Sequence, residues 1–189
     1  MLSILYGIAS ALAWGAGDFA GGLSSRKVGA YRAVFYADFF GLFLLSAVFL
    51  VYPETLPSAN VLGVSAFAGM LGSIGLLALY YSLIKGQMSV AAPLSALFAA
   101  LLPVIVGSIT EGLPQPFQVI GFALALSAVW LISQGDGSFQ VSRLSDLHFP
   151  ILAGLGFGFY FIFMHNATQN TTATLWPMIA SRGAGTLLL

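Results

Sequence analysis

The chain has 189 residues, of which 59% are hydrophobic and 6% are charged, with six basic and six acidic side chains. A soluble domain carries about 25% charged residues, so this composition cannot cover a water-exposed surface. The balanced charge does not support nucleic-acid binding. The absence of cysteine excludes disulfides, thiolate metal sites and cysteine nucleophiles. The composition therefore predicts an integral membrane protein.

Charges, prolines and polar clusters divide the chain into apolar segments of roughly 20 residues, the length that spans about 30 Å of hydrocarbon. The first is too long for a cleaved signal peptide, and we interpret it as a retained helix. A seventh segment opens near Ala173 and reaches Leu189 inside its apolar run, which favours a chain truncated within a longer protein. The other six predicted helices cover approximately residues 2–23, 31–52, 61–84, 90–109, 117–133 and 149–165.

Two helix pairs, one in residues 7–45 and one that begins at Pro150, resemble each other. Five predicted helices separate the two starts, and an odd number places the second copy in the opposite orientation. The sequence therefore predicts an all-α fold, a polytopic transmembrane helix bundle of inverted five-helix repeats. We assign the complete first repeat to residues 1–134, a connecting loop to 135–148 and the partial second repeat to 149–189. The aligned positions are Ile8 with Ile151, Leu12 with Leu155, Gly15 with Gly158, Asp38 with Arg182, Gly41 with Gly185 and Leu44 with Leu188.

The charges of the predicted loops indicate an orientation. One side carries only Glu54 and Glu111, and basic loops face the cytoplasm. We therefore expect a multi-pass protein of the plasma or inner membrane with its N-terminus outside. The basic residues of the other side are Arg26, Lys27, Arg32, Lys85 and Arg143.

Glycines and prolines occur at many positions within the predicted helices. Glycines remove Cβ atoms from contact faces, which favours close packing of helices in lipid. Pro103 cannot bond back to the Ala99 carbonyl, so we expect a bend in the fourth helix. The clustered glycines are Gly15, Gly17, Gly21, Gly22, Gly69, Gly72, Gly75, Gly154, Gly156 and Gly158.

Three ionisable side chains fall inside the predicted spans. A charge at membrane depth costs about 2.5 to 3.5 kcal/mol on insertion scales, so such groups face the bundle interior, pair or line a pathway. Asp38 and Arg182 occupy equivalent positions of the repeats with opposite charge. Two interpretations remain open: a charged pair beside a midplane cavity, or a structural ion pair that locks the repeats together.

Asp18 follows Trp14 by one helical turn, so both side chains project from one face of the first helix. It either lines the cavity or pairs with nearby Arg32 near the membrane surface. The amphipathic aromatics suited to a pocket for partly apolar solutes are Trp14, Tyr80, Tyr81 and Tyr160.

Residues 78–97, with Leu102-Pro103 and Thr110-Glu111-Gly112, are similar to the third and fourth helices of the EamA family of the drug/metabolite transporter superfamily. Trp14-Gly15 is similar to its first helix. The segment of the seventh helix that is similar contains Trp176-Pro177 and Ser181-Arg182-Gly183.

The resemblance implies ten helices in two inverted repeats, a central cavity, and export or uptake of small metabolites by alternating access. It also implies a basic residue in the second helix of each repeat. Arg182 fits that pattern, whereas Asp38 departs from it. We therefore expect a secondary, non-ATP transporter of small metabolites or drugs, acting in efflux. We expect its cavity to be lined by the first, third, fourth and sixth helices. The predicted substrate-binding residues are Trp14, Asp18, Asp38, Tyr80, Tyr160 and Arg182.

Two other functions fit parts of the sequence. One is a truncated, non-transporting half-permease or scaffold that needs self-association or a partner chain. The other is an intramembrane aspartyl protease, because Gly15-Ala16-Gly17-Asp18-Phe19 resembles the motif of that family. Its other motifs do not fit this chain, so we do not expect an enzyme. The remaining partners expected are the lipid bilayer and a small-molecule substrate. No cofactor is expected, and no metal site either, because His148 and His165 are far apart.

Overall fold

The computed structural model describes residues 2–85, 88–133, 147–169 and 171–189, and the regular elements within these ranges are α-helices. Every predicted apolar segment corresponds to one helix, with ends that differ by a few residues. Residue 134 and residues 135–146 of the predicted connecting loop, including Arg143, lie outside the described residues. The helices are α1 (Leu2–Val28), α2 (Ala30–Val51), α3 (Ala59–Ile84), α4 (Met88–Thr110), α5 (Pro116–Ser133), α6 (His148–Thr168) and α7 (Leu175–Leu188).

The helix boundaries follow from local backbone chemistry. Gly29 alone separates α1 from α2, and its φ of 88° lies in the region that glycine adopts without steric cost. Ser58 precedes α3 and its side chain accepts a hydrogen bond from the Val61 N–H at 3.4 Å, as an N-cap residue does. Pro116 occupies the first position of α5, where a missing N–H is tolerated. Helix α4 continues through Pro93 and Pro103, and the predicted bend at Pro103 stays a prediction.

Helix α3 forms the centre of the bundle, with α1, α2, α4, α6 and α7 packed around it. Helix α6 packs against both α3 and α4, α7 packs against both α2 and α3, and α5 lies at the edge beside α4. Helix α6 therefore separates α4 from the part of the bundle interior where α7 packs against α3.

Glycines allow the closest helix crossings. A Cβ atom at Gly156 of α6 would lie 2.8 Å from the Cα atom of Gly75 in α3, and one at Gly154 would lie 2.6 Å from the Ser95 carbonyl oxygen in α4. The prediction of close packing is confirmed at these positions. Gly15 and Gly17 of α1 differ, because a Cβ atom there would meet nothing within 4 Å.

The outer faces of the helices are apolar. Phe43 is 69% exposed and Leu50 is 82% exposed, although both are large hydrophobic residues. Among the described residues, four helices are long and apolar enough to cross a membrane, namely Ala30–Val51, Ala59–Ile84, Ala91–Thr110 and His148–Thr168. Apolar outer faces on helices of this length are what lipid requires. The chain is a multi-pass membrane protein, and the predicted all-α polytopic bundle is confirmed.

Candidate functional site

The crossing of α2 and α7 holds a three-residue polar cluster. The Arg182 Nη1 atom donates to the Asp38 Oδ1 atom at 2.6 Å, and the Ser73 hydroxyl of α3 donates to Asp38 Oδ2 at 2.6 Å. Asp38 is 2% exposed, whereas the Arg182 side chain is 37% exposed. Each oxygen of the buried carboxylate therefore has a partner, and one of the two is a cation. The ion pair joins the first predicted repeat to the second.

Two glycines make this crossing possible. A Cβ atom at Gly185, one turn after Arg182, would lie 2.7 Å from Asp38 Oδ2 and would collide with the Ser73 hydroxyl. A Cβ atom at Gly41, one turn after Asp38, would lie 3.5 Å from the Arg182 Cδ atom. Asp38 thus faces Arg182 and Gly185, while Arg182 faces Asp38 and Gly41. This exchange of equivalent contacts is what a local two-fold axis through the crossing produces.

A cavity of about 490 Å³ opens beside this cluster, between α1, α2, α3, α6 and α7. It is only partly enclosed by the described helices. All six predicted binding residues line it, together with small and aliphatic residues such as Ala13, Gly17, Leu44 and Met178. The predicted residues that line it are Trp14, Asp18, Asp38, Tyr80, Tyr160 and Arg182.

The helices that form the cavity differ from the expected set. We expected walls from the first, third, fourth and sixth helices, but no described residue of α4 lines the cavity, and α2 and α7 contribute instead. The packing explains the difference, because α6 lies against α4 and closes it off from the cavity. Helices α2 and α7 meet on the opposite side, where their glycines bring both charged residues to the cavity wall.

Aromatic rings form one wall of the cavity. The Trp14 ring makes edge contacts with Phe157 at 6.4 Å and with Phe161 at 6.2 Å between centroids. Tyr160 in turn contacts Phe161 at 5.3 Å. Tyr80 is 3% exposed, and its hydroxyl packs against the backbone of Gly21. The wall therefore offers rigid, partly polar rings to a ligand.

Tyr81 lies elsewhere. It lines a separate groove of about 590 Å³ with Arg32 and Phe149, and the Lys85 ammonium lies 4.8 Å from its ring centroid. Arg32 is likewise placed in that groove and not beside Asp18. Among the described residues, Asp38 forms an ion pair with Arg182, and Glu111 lies 3.0 Å from His165, which is charged only when protonated. Pairing of Asp18 with Arg32, one of the two interpretations left open by the sequence, is therefore not observed.

Asp18 projects into the cavity from α1, one turn from Trp14. It is partly buried, and within the part of the chain that the structure describes its carboxylate has neither an ion pair nor a hydrogen bond. The described residues contain no group of three or more His, Asp or Glu side chains that could hold a metal ion. The cavity thus combines one free carboxylate, one neutralised ion pair and an aromatic wall.

Contacts outside the cavity tie the loop after α2 to the start of α7. The Glu54 Oε2 atom accepts hydrogen bonds from the backbone N–H groups of Thr174 at 2.9 Å and Leu175 at 2.8 Å. The Trp176 indole N–H donates to the Glu54 carbonyl oxygen at 3.2 Å. A carboxylate at a helix N-terminus satisfies free N–H groups and complements the helix dipole. The two predicted repeats are therefore joined at a second point.

Sequence reasoning did not identify Ser73 or Glu54 as functional. Ser73 is one serine among several in α3, and only the rotation of that helix places it against Asp38. The sequence indicates only a loop charge at Glu54, because Thr174, which it helps to cap, is 120 positions away in the chain.

The sequence model of the EamA-like transporter family matches residues 1–134 of the 189 residues. A search of curated proteins and a search of solved structures each found no match. The matched region contains α1 to α5 and therefore four of the six residues that line the cavity as predicted. This chain belongs to the EamA-like transporter family, and it is accordingly a membrane transporter protein of the drug/metabolite transporter type.

Proposed function

We propose that this protein is a secondary transporter that exports small, partly apolar metabolites or drugs by alternating access. The observation that carries the proposal is the cavity between α1, α2, α3, α6 and α7, which brings charged and aromatic side chains together inside an apolar bundle. Ionisable groups at membrane depth that line a cavity are characteristic of substrate and ion pathways. A volume of about 490 Å³ suits a small organic molecule.

The ion pair between Asp38 and Arg182 is the element that we propose to differ between states. It links α2 of one repeat to α7 of the other, and its guanidinium is partly exposed to the cavity. A guanidinium has five N–H donors, so Arg182 has donors left after its bond to Asp38. A substrate that contacts this ion pair more closely in one state than in the other would shift the balance between the states.

The proposed arrangement in the membrane follows from the predicted repeats and loop charges. We propose residues 1–134 as the first repeat and 149–189 as the beginning of the second, with an intervening connection. The basic residues Arg26, Lys27, Arg32 and Lys85 would face the cytoplasm, with the N-terminus outside and the protein in the plasma or inner membrane.

Cysteine labelling tests alternating access without knowledge of the substrate, because the chain contains no cysteine. Ala37 lines the cavity on α2, so Ala37→Cys should react with a membrane-impermeant maleimide added to either side of sealed vesicles. Phe39 provides the matched control at the same depth. It lies on the opposite face of α2, does not line the cavity and is 44% exposed on the outer surface, so Phe39→Cys should stay unlabelled from both sides.

Labelling of Ala37→Cys from one side only, or not at all, would contradict alternating access. The same assay tests the ion pair. Adding Asp38→Asn should confine labelling of Ala37→Cys to one side, because the contact that we propose to break and reform is lost. Unchanged two-sided labelling in that double variant would remove the ion pair from the mechanism.

A half-permease or scaffold that requires self-association or a partner chain is the second candidate. The incomplete enclosure of the cavity favours it, because further helices from another copy would complete the wall. Native mass measurement in detergent distinguishes the candidates. An assembly whose dissociation abolishes two-sided labelling of Ala37→Cys supports the second, and a labelled monomer supports the first.

The geometry of Asp38 argues against the protease function considered above. An aspartyl protease needs two carboxylates that share a proton. Both oxygens of Asp38 accept hydrogen bonds from Arg182 and Ser73, so neither is directed at Asp18.

A further inference from the structure

The charges of the described side chains that line the cavity do not sum to zero. Three described residues that line it are ionisable acids or strong bases: Asp18, Asp38 and Arg182. The Asp38–Arg182 distance of 2.6 Å makes these two a neutral unit. Asp18 remains, with no ion pair among the described residues, and its carboxylate gives the cavity one net negative charge.

The surroundings of Asp18 suit a positive charge in a second way. Trp14 lies one turn away on α1, and its ring contacts Phe157, which also lines the cavity. Tyr160 adds a further ring to the same wall. Aromatic rings attract cations through their negative faces, most strongly for tryptophan. The carboxylate and the aromatic wall therefore favour the same kind of ligand.

A ligand carboxylate is disfavoured in this cavity. Arg182 is the one cation among the described residues that line it, and it already neutralises Asp38. A second carboxylate on the same guanidinium would leave the cavity with an excess of negative charge in a medium of low dielectric, where like charges repel strongly.

We infer that the substrate of this transporter is an organic cation with a single positive charge and a partly aromatic or aliphatic body, with Asp18 as its counter-ion. The inference rests on the proposed function, since it assigns a substrate class to the same cavity. Asp38 and Arg182 then form the polar wall opposite the cation, and the rings beside Trp14 enclose its apolar part.

Three small probes of nearly equal shape test the charge preference. Benzyltrimethylammonium is the cation, neopentylbenzene is its neutral isostere, and benzyldimethylammonioacetate is the zwitterion that adds a carboxylate. Each is titrated calorimetrically into the full chain in nonionic detergent, with empty micelles as the blank. We expect the cation to bind at least about tenfold more tightly than either other probe, since a cation–π contact and a partly desolvated counter-ion each contribute about that factor.

Substitutions test whether the preference for the cation depends on Asp18. Asp18→Asn should lower the preference for the cation by about tenfold, to what the aromatic wall alone provides, because the net negative charge of the cavity is lost. Glu111→Gln is the matched control, since Glu111 is an acidic residue outside the cavity, and it should keep the preference. Gly17→Leu provides a variant with little risk to folding. A Cβ atom at Gly17 meets nothing within 4 Å, so the leucine should fill the cavity beside Asp18 and abolish cation binding.

The outcomes separate the two proposals. Equal binding of the cation and its neutral isostere, tighter binding of the zwitterion, or a preference that is undiminished in Asp18→Asn would overturn the cation inference while the transporter proposal stands. Failure of all three probes to bind would overturn the cation inference as well. If Ala37→Cys were then also labelled from one side only, or from neither side, the proposed function would be wrong as well.

Discussion

Helices α2 and α7 cross at matching points, and each contributes one charged residue and, one turn later, one glycine. The two charged residues experience different surroundings. Asp38 is buried, with both carboxylate oxygens occupied, whereas 37% of the Arg182 side chain is exposed. The surroundings of the two glycines also differ, since Gly185 is packed tightly against Ser73 and Asp38, whereas Gly41 lies at ordinary contact distance from the Cδ and Nε atoms of Arg182. Equivalent positions of the two predicted repeats thus have unequal tasks: α2 supplies a fixed anchor, and α7 supplies the group that can reach the cavity.

This comparison predicts unequal costs for breaking the ion pair. Arg182→Gln leaves a buried carboxylate with Ser73 as its remaining partner, and removing one member of a buried pair costs about 3 to 5 kcal/mol. Asp38→Asn leaves a guanidinium that the cavity can solvate, and we expect a loss of about 1 to 3 kcal/mol. Unfolding by SDS titration in mixed micelles measures both. Equal losses, or a larger loss for Asp38→Asn, would contradict the assignment of Asp38 as the anchor.

The helix positions could be predicted from the sequence, because Gly29, the prolines and the charged loops interrupt long apolar runs. The approach of Asp38 to Arg182 could also be predicted, since inverted repeats bring equivalent positions to similar depth. The absence of α4 from the described cavity wall could not be predicted. It depends on how far each helix rotates and how closely it approaches its neighbours. Contacts such as Gly75 with Gly156 set both, and they join positions far apart in the chain.

The glycines provide a matched pair of substitutions. Gly185→Ala places a methyl group 2.7 Å from the Asp38 carboxylate, so the helices must separate, and overpacking of this kind costs about 1 to 3 kcal/mol. Gly41→Ala places its methyl group 3.5 Å from a flexible part of Arg182 and should be neutral, or stabilising by up to about 1 kcal/mol through helix propensity. Thermal unfolding of both variants in detergent tests the contrast. Similar effects at the two positions would show that the crossing is symmetric after all.

The N-termini of the two helices give a third contrast. Gly29 before α2 provides no side-chain cap, whereas Glu54 caps α7 through the N–H groups of Thr174 and Leu175. Loss of a helix cap costs about 0.5 to 2 kcal/mol. Glu54→Ala should therefore accelerate hydrogen exchange in the first turn of α7 and leave that of α2 unchanged, while Glu54→Gln, which keeps an acceptor oxygen, should have a smaller effect. Equal acceleration in α2 and α7 would mean that Glu54 acts on the whole bundle.

The smallest effect is expected at the contact between His165 Nε2 of α6 and Glu111 Oε1 after α4, 3.0 Å apart, which is an ion pair when His165 is protonated. The side chains are 60% and 58% exposed, so water competes for both partners, in contrast to the buried Asp38. Exposed pairs contribute about 0 to 1 kcal/mol and are screened by salt. Glu111→Gln should therefore change the unfolding free energy by less than about 1 kcal/mol, and high salt should erase that change while leaving the cost of Arg182→Gln nearly intact. A large, salt-resistant loss for Glu111→Gln would mean that the ends of α4 and α6 are held together as firmly as the crossing of α2 and α7.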